Sequence, residues 1–429
     1  MRCWVGGVLV LAACGPAVAG GSASGSGSDG SGSTAGDADG TATSASATVA
    51  DASGSGSSAG GSDPSGADDS SSGAPQSSWC LERADIEDFA QLPDEAVATA
   101  DPAIGHARLW QLDANWDPFD ESLTTSLTPY DVATDGSTVP GDTLDVPAWV
   151  ELFADIDGDG IDDVVLRDVG GAQLSWLALG DGGAGSPQPL AVPMQENARW
   201  LDGDGDGRVD RFVFAPDPGG LTLERGDGSG GFAPFVDFGT PMGPQAPIAS
   251  AVIVVDAGVL ALEFAEPWHD FGYGNGSTTA TIDGPGAFAL GPATPIAMHL
   301  LVAAADFDGD ARVELVLGEE SSALVVWSDD GAGGLVSTPI GDANDHAVVV
   351  HLGDVPTPQL LTITFDGIVR RFESPTLGLG SGVEVGGTLP MARVPQVIDV
   401  DGDGQDELLL PGYEDERWHY QLARFVPCE

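Results

Sequence analysis

Hydrophobic and polar positions alternate over short distances from about residue 105 to the C-terminus of the chain. Four times, an Asp/Gly-rich turn is followed at once by a run of aliphatic or aromatic residues, at 164–166, 212–214, 315–317 and 408–410. Short apolar runs bounded by turn residues are typical of β-strands. The pattern therefore predicts hairpins in which an acidic turn joins two strands.

The spacing of these turns predicts further copies of the same unit. The second and third intervals are each about twice the first, because the turns begin at Asp155, Asp202, Asp306 and Asp399. One degenerate copy is therefore expected in each long gap, and the apolar runs at 252–255 and 348–350, each leading to an Asp, fit these places. A seventh copy is expected before them, with its acidic positions at Asp113, Asn115, Asp117 and Glu121.

A repeat of roughly 40 to 55 residues that is built from short strands is typical of a propeller blade, in which one four-stranded sheet recurs around a central axis. The sequence therefore predicts an all-β fold, a β-propeller of about seven four-stranded blades, with six blades as the alternative. The propeller is expected to span residues 79–429.

The acidic turns carry the ligands that a hard divalent cation needs. Ca²⁺ takes six to eight oxygen ligands, and each turn has carboxylates at positions 1, 3, 5 and 9, with the backbone carbonyl of position 7 as a further ligand. An EF-hand is excluded because it needs Glu at position 12, where the first turn has Leu166. A hydrophilic hairpin without metal is the alternative. The predicted ligand positions are Asp155, Asp157, Asp159, Ile161 and Asp163; Asp202, Asp204, Asp206, Arg208 and Asp210; Asp306, Asp308, Asp310, Arg312 and Glu314; and Asp399, Asp401, Asp403, Gln405 and Glu407.

These turns and the strands after them resemble the FG-GAP/VCBS repeats, the calcium-loop propellers that include the head of integrin α subunits. The resemblance extends from about residue 105 to the C-terminus. It implies about four bound Ca²⁺ ions with a structural role, since in the integrin propellers such sites mostly stiffen the hairpins of the blades. Ala311, where the repeat has Gly, and Glu at position 9 in two turns depart from the pattern.

The N-terminus has the features of an export signal. Met1 and Arg2 precede an apolar segment that is too short to span a bilayer. Residues 11–14 (Leu-Ala-Ala-Cys) resemble a bacterial lipobox, which predicts a signal peptide at 1–13 and lipidation of Cys14. The alternative is an ordinary signal peptide that is cleaved near residues 17–19. The lipobox implies an exported lipoprotein that is anchored to a membrane, at the bacterial outer membrane or cell surface.

Residues 14–78 are almost entirely Gly, Ser, Ala, Thr and Asp. Such a segment has almost no apolar surface to bury, so it is predicted to be a disordered tether. Cys80 and Cys428 then remain near the two ends of the folded region, and a disulfide between them is predicted, because a closed propeller brings its ends together. For residues 81–89 a short helix is favoured over a strand that completes the last blade.

Charge restricts the partners of the protein. The chain has 14 basic and 67 acidic residues and a formal net charge of −53, which argues against a nucleic acid partner because the phosphate backbone would be repelled. The excess of acid is consistent either with bound Ca²⁺ or with a salty habitat.

The sequence shows no catalytic constellation, so we do not predict an enzyme. Aromatic residues on a Gly-rich loop suit stacking against a sugar or contact with a protein, and residues 266–276 form such a loop. The sequence predicts a calcium-binding, cell-surface binding or scaffold module with an unknown protein or glycan ligand. The alternative is a carbohydrate-active enzyme, such as a polysaccharide lyase. The candidate ligand residues are Trp268, His269 and Tyr273.

Overall fold

The computed structural model describes most of the region from residue 79 to residue 428. The described ranges are 79–86, 96–101, 106–117, 122–171, 173–179, 184–193, 198–215, 220–239, 248–265, 274–294, 299–319, 323–330, 334–342, 345–353, 355–378, 381–389, 395–414 and 417–428. The predicted signal peptide at 1–13, Cys14 and the remainder of the tether at 14–78 lie outside the described residues.

The described residues form strands and one short 3₁₀ helix, η1 (Pro375–Leu377). The first strands are β1 (Trp79–Asp85), β2 (Ala96–Asp101), β3 (His106–Asp117), β4 (Ser122–Val132), β5 (Thr138–Pro140), β6 (Leu144–Val146), β7 (Trp149–Ala154), β8 (Asp163–Arg167), β9 (Gln173–Leu177), β10 (Gln188–Pro193), β11 (Ala198–Leu201), β12 (Asp210–Ala215), β13 (Gly220–Gly226) and β14 (Phe232–Gly239). The others are β15 (Ile248–Asp256), β16 (Val259–Ala265), β17 (Gly274–Gly284), β18 (Ala287–Leu290), β19 (His299–Ala305), β20 (Glu314–Glu319), β21 (Ala323–Asp329), β22 (Leu335–Gly341), β23 (His346–Val350), β24 (Gln359–Ile363), β25 (Ile368–Phe372), β26 (Val383–Thr388), β27 (Gln396–Ile398), β28 (Glu407–Glu414) and β29 (Arg417–Pro427). None of the described segments is a helix long and apolar enough to cross a membrane.

Antiparallel hairpins group the described strands into seven blades, with β17 also paired to β19 between blades 4 and 5 and β26 to β1 between blades 6 and 7. Blades 1 to 3 consist of β2–β6, β7–β10 and β11–β14, and blades 4 to 6 of β15–β18, β19–β22 and β23–β26. Blade 7 combines β27, β28 and β29 with the N-terminal strand β1. The prediction of an all-β propeller of about seven four-stranded blades is therefore confirmed.

The hydrophobic core is a set of clusters, one at each interface between neighbouring blades. Val164 and Leu166 of β8 pack toward blade 1, whereas Val165 between them packs toward blade 3. A continuous apolar run is thus explained by a strand whose two faces are both buried. The cluster that contains Leu109 of blade 1 and Leu409 of blade 7 joins the last blade to the first, so the ring is closed.

The N-terminal strand completes the last blade of the ring. β1 pairs with β29 along its whole length, from Trp79 opposite Pro427 to Asp85 opposite Gln421. The predicted disulfide between Cys80 and Cys428 is confirmed, and it links two residues that are 348 positions apart in sequence. The short helix expected from residue 81 onward is wrong over 81–85, because the strand alternative satisfies the backbone through β29.

Candidate metal-binding loops

The four predicted acidic turns lie at the same place in their blades, between the first and second strands. They join β7 to β8 in blade 2, β11 to β12 in blade 3, β19 to β20 in blade 5 and β27 to β28 in blade 7. Position 9 of each turn is the first residue of the second strand. The sequence pattern therefore corresponds to one repeated structural unit, which we call an acidic loop.

The carboxylate at position 1 closes each acidic loop. In blade 2, the N–H of position 4 donates to its Oδ1 at 2.7 Å and the N–H of position 6 donates to its Oδ2 at 2.9 Å. The other three loops have the same two hydrogen bonds, at 2.7 to 3.0 Å. The residues at position 1 are Asp155, Asp202, Asp306 and Asp399.

Positions 3 and 5 repeat the same kind of contact two residues further on. Oδ1 of position 3 accepts from the N–H of position 5 at 3.2 or 3.3 Å. Oδ1 of position 5 accepts from the N–H of position 7 at 2.8 to 3.0 Å. In each case the second oxygen, Oδ2, lies outside these backbone hydrogen bonds. The residues are Asp157, Asp204, Asp308 and Asp401 at position 3, Asp159, Asp206, Asp310 and Asp403 at position 5, and Ile161, Arg208, Arg312 and Gln405 at position 7.

The acid at position 9 is buried in every loop. Asp163 accepts at Oδ2 from the N–H of Ile156 and at Oδ1 from the N–H of Leu179, both at 3.1 Å. Glu314 accepts at Oε2 from the N–H of Phe307 at 2.8 Å. Position 9 thus fixes position 2 of its own loop to the blade. The four residues are Asp163, Asp210, Glu314 and Glu407, and none is more than 3% exposed.

Burial makes the negative charge of these acids unfavourable. Desolvation, with smaller contributions from the neighbouring carboxylates, raises the pKa of Asp163 and of Asp210 to about 7. The same causes raise the pKa of Glu314 to about 8 and that of Glu407 to about 7. A group whose pKa is raised in this way is stabilised either by a proton or by a nearby cation.

Each loop brings three carboxylate oxygens close enough to share one ion. The oxygens of each group lie within 4.8 Å of one another, and the groups are Asp155, Asp157 and Asp163; Asp202, Asp204 and Asp206; Asp306, Asp308 and Glu314; and Asp399, Asp401 and Glu407. All these donors are oxygens, which suits a hard divalent cation. The chemistry of the donor set and the buried negative charge therefore fit a metal ion, and the described residues contain four acidic clusters that can hold one.

The acidic loops also contact the neighbouring blade. The N–H of Val209 in the blade-3 loop donates to the carbonyl of Asp155 in the blade-2 loop at 2.9 Å. A Cβ added to Gly158 would lie 2.8 Å from Cγ of Arg208, so glycine at position 4 allows this close approach. Gly309 in blade 5 approaches Thr357 of blade 6 in the same way. The loops therefore lie at the seams between blades.

Ala311, which replaces the Gly of the repeat, has a left-handed backbone conformation. It occupies position 6 of the blade-5 loop with φ of 66°, where the other three loops have Gly at φ of 82° to 86°. A side chain in this left-handed region is unfavourable by about 1 kcal/mol or more. The hydrogen bond from its N–H to Asp306 at 2.9 Å nevertheless keeps the loop in the same shape as the others.

The degenerate copies differ from one another in structure. Blade 4 has a short turn at Ala257 and Gly258 between β15 and β16. Blade 6 has a segment of the same length between β23 and β24, but His351 stands at position 1, Pro356 at position 6 and Gln359 at position 9. Both degenerate copies thus supply the first strand of a blade, as expected from the period.

The prediction of a seventh acidic loop, in blade 1, is wrong. Asp113 and Asn115 lie within β3, opposite Ser126 and Thr124 of β4, and Asp117 is its last residue. Polar residues two apart belong equally to an acidic loop and to the exposed face of a strand. Glu121 lies outside the described residues, and blade 1 begins earlier, at β2.

A buried polar cluster between blades 4 and 5 was not anticipated from the sequence. Ser277 Oγ lies 3.0 Å from Nε2 of His299, and Glu263 accepts from the N–H of Leu301. All three polar side chains are at most 1% exposed. Since Gly274 pairs with His299 and makes blades 4 and 5 one continuous sheet, the cluster lies at a blade interface. Its residues are far apart in sequence, so no local motif indicates them.

The candidate ligand residues Trp268, His269 and Tyr273 lie outside the described residues. They belong to the segment that joins β16 to β17. Their proposed role in ligand contact remains a prediction, as does lipidation of Cys14.

Comparisons with known proteins give similarity in structure but not in sequence. No protein-family model matches the chain, and no curated protein matches it. A chain in the structure of the Photorhabdus luminescens Tc holotoxin pore with mutation TccC3-D651A is similar over 74% of this chain and 17% of that chain, with 19% identity and a TM-score of 0.39. BBS1N, in a crystal structure of its complex with ARL6DN, is similar over 81% of this chain and 97% of that chain, with 12% identity and a TM-score of 0.44. At these values the fold assignment rests on the strand pairing itself.

Proposed function

We propose that the protein is an exported, lipid-anchored β-propeller of the FG-GAP/VCBS type whose four acidic loops bind Ca²⁺. The observation that carries the proposal is the recurrence of one loop geometry in four blades, each time with three carboxylate oxygens within 4.8 Å of one another. Binding of Ca²⁺ would draw on the oxygens of positions 1, 3, 5 and 9 and on the carbonyl of position 7.

The ions have a structural role in this proposal. A cation offsets the buried charge of position 9, and the loops that it stiffens lie at the seams between blades. The protein would therefore gain stability from Ca²⁺ as a ligand that binds the folded state alone.

The propeller serves, in this proposal, as a binding or scaffold module at the bacterial outer membrane or cell surface. The disulfide between Cys80 and Cys428 supports export, because such bonds form and persist in oxidising compartments. Acyl chains on Cys14 would hold the protein at the membrane, and the tether at 14–78 would carry the propeller away from it. The partner is a protein or a glycan, and the net charge of −53 disfavours nucleic acid.

A thermal melt of the chelated protein, titrated with Ca²⁺ and separately with Mg²⁺, tests metal binding. A saturable rise in Tm that is selective for Ca²⁺ is expected. Asp157→Ala and Asp204→Ala should each lower Tm more in Ca²⁺ than in chelator, and Asp204→Ala should keep a small fall in chelator because it also loses the ion pair with Arg225. Asp227→Ala is the matched control, because Asp227 accepts from the N–H groups of Ser229 and Gly231 in a turn outside the acidic loops. An equal fall in both conditions for the loop variants would contradict the proposal.

Fractionation tests the anchor. Cys14→Ser should move the protein from the membrane fraction to the soluble fraction, and retention in the membrane would refute lipidation at this residue. A glycan array and pull-downs with surface extracts, each repeated in chelator, would then identify the partner class.

A further inference from the structure

The four acidic loops differ in the residue that faces position 9 from the third strand of the blade. Strand register places Ala178 there in blade 2, because Leu177 pairs with Val164, and Ser328 there in blade 5, because Trp327 pairs with Leu315. In blade 3 and blade 7 the same register places an arginine. These residues are Arg225 and Arg424.

Arg225 contacts two carboxylates of the blade-3 loop at once. Its Nε lies 2.7 Å from Oδ2 of Asp204, and its Nη2 lies 2.7 Å from Oδ2 of Asp206. These are the oxygens of positions 3 and 5 that the loop backbone does not use. The guanidinium also lies over the ring of Phe235, with Cζ 5.2 Å from the ring centroid. The arginine is therefore fixed against the oxygens that a metal ion would bind.

Arg424 makes a looser version of the same contact in blade 7. Its Nη2 lies 3.4 Å from Oδ2 of Asp401 and its Nε lies 3.5 Å from Oε1 of Glu407. In blade 5 the arginine at position 7, Arg312, lies 3.9 Å from Asp310 and nearer to Asp329, at 3.3 Å. The two-oxygen contact at 2.7 Å is thus a feature of blade 3 within the described residues.

We propose that Arg225 supplies from within the chain part of the positive charge that the blade-2 loop obtains from a divalent cation, so that the blade-3 loop binds Ca²⁺ more weakly than the blade-2 loop. The proposal rests on the calcium-binding function proposed above. A guanidinium and a divalent ion compete for the same oxygens and also repel each other. The loops then divide into those that depend on metal and those that are partly neutralised beforehand.

Reciprocal variants test this inference in the full chain. Arg225→Gln keeps a neutral side chain of similar reach, and Ala178→Arg introduces the arginine at the matching place in blade 2. Calorimetric titration of the chelated proteins with Ca²⁺ should show one site of Arg225→Gln tightened by about tenfold, the size expected when one unit charge near a divalent ion is removed in a partly solvated site. In Ala178→Arg one site should weaken by a similar factor.

Thermal melts separate this role from packing against Phe235. Arg225→Gln should lower Tm in chelator and recover it in Ca²⁺, whereas loss of packing alone would lower Tm equally in both conditions. Arg167→Gln is the control. Nε of Arg167 lies 2.9 Å from Oε2 of Glu151 in blade 2, and this pair does not involve the acidic loop. The variant should leave every calcium site unchanged.

The outcomes distinguish the two proposals. Binding of Ca²⁺ by the wild-type protein with an unchanged isotherm in Arg225→Gln would overturn the role of Arg225 and leave the calcium function standing. Absence of calcium binding in the wild-type protein and in both variants would overturn both.

Discussion

Blades 5 and 6 link positions 2 and 9 of the first hairpin by hydrogen bonds of opposite direction. Both loops bury a large apolar residue at position 2, Phe307 or Leu352, and a polar residue at position 9, Glu314 or Gln359. In blade 5 the N–H of Phe307 donates to the carboxylate of Glu314 at 2.8 Å. In blade 6 the amide of Gln359 donates to the carbonyl of Leu352 at 2.9 Å. The link between positions 2 and 9 is shared, and the direction of its hydrogen bond is reversed. Position 6 of the blade-6 segment is Pro356, which cannot adopt the left-handed conformation of the acidic loops, so the backbone between these positions differs.

The comparison shows that position 2 of such a hairpin can be fixed without a carboxylate at position 9. Blade 6 fixes position 2 with a neutral amide, whereas blade 5 does so with a carboxylate whose pKa burial raises to about 8. The seam to the next blade has one backbone hydrogen bond in common, although in blade 6 Nδ1 of His351 also lies 3.2 Å from Oδ2 of Asp406. The carbonyl at position 1 accepts from position 8 of the next blade whether position 1 is Asp155 or His351. A metal ion would therefore stabilise the buried negative charge that position 9 carries in the acidic loops and lacks in blade 6.

The largest expected effect is a dependence of stability on pH that Ca²⁺ removes. The pKa of each position-9 acid is raised to about 7 or 8 in the folded protein, against 3.8 for Asp and 4.5 for Glu unfolded. The folded state thus binds more protons than the unfolded state between these values, and its stability falls as pH rises. In chelator, Tm should be several degrees lower at pH 8 than at pH 5. In saturating Ca²⁺ the slope should largely disappear, and an equal slope in both conditions would contradict this explanation.

Truncation of the side chain at position 9 should cost stability in a calcium-dependent way in blade 5 and in a calcium-independent way in blade 6. Glu314→Ala leaves the N–H of Phe307 without its acceptor and removes a metal ligand, so it should cost about 2 to 3 kcal/mol in Ca²⁺ and less in chelator. Gln359→Ala leaves the carbonyl of Leu352 unpaired and should cost about 1 to 2 kcal/mol, equally with and without Ca²⁺. Denaturant unfolding in both conditions measures the difference. The same calcium dependence in both variants would show that blade 6 also holds an ion.

Local patterns in the sequence were sufficient for the acidic loops. The spacing of Asp155 to Asp163 and the apolar run after it specify one hairpin within a few residues. The Cys80–Cys428 pair was also predictable, because a closed ring brings its ends together. These features need only short-range signals or the general topology of the fold.

Features that depend on distant partners were missed. β1 is a strand because β29 lies beside it, and Gln421 donates to Asp85 across 336 positions of sequence. The period-two pattern of Asp113 and Asn115 fits a loop and a strand face equally well, and only the pairing with β4 decides between them. Arg225 faces its loop through the register of β12 and β13, which no spacing rule in one sequence reveals.

A smaller effect is expected when position 9 of blade 5 is given the neutral amide that blade 6 has there. Glu314→Gln removes the buried negative charge and retains an oxygen that can accept from Phe307. In chelator at pH 8 it should be more stable than the wild-type protein by about 1 kcal/mol, because one uncompensated buried charge is gone. In Ca²⁺ it should be less stable, because one metal ligand is lost. The free energy of unfolding of both proteins is measured along a calcium titration, and the two curves should cross. Parallel curves would show that Glu314 is not a ligand of the ion.

The smallest effect concerns the backbone conformation that the four acidic loops share. Ala311→Gly relieves a left-handed conformation at position 6 and should stabilise the protein by about 0.5 to 1 kcal/mol, after allowance for the greater entropy of glycine in the unfolded chain. Gly207→Ala is the converse control, because a Cβ there meets nothing within 4 Å and only the φ of 82° opposes it. It should destabilise by a similar amount. Both shifts should be the same with and without Ca²⁺, because the strain lies in the loop backbone and not in its charge. A gain for Ala311→Gly in Ca²⁺ alone would instead mean that the ion imposes the left-handed turn.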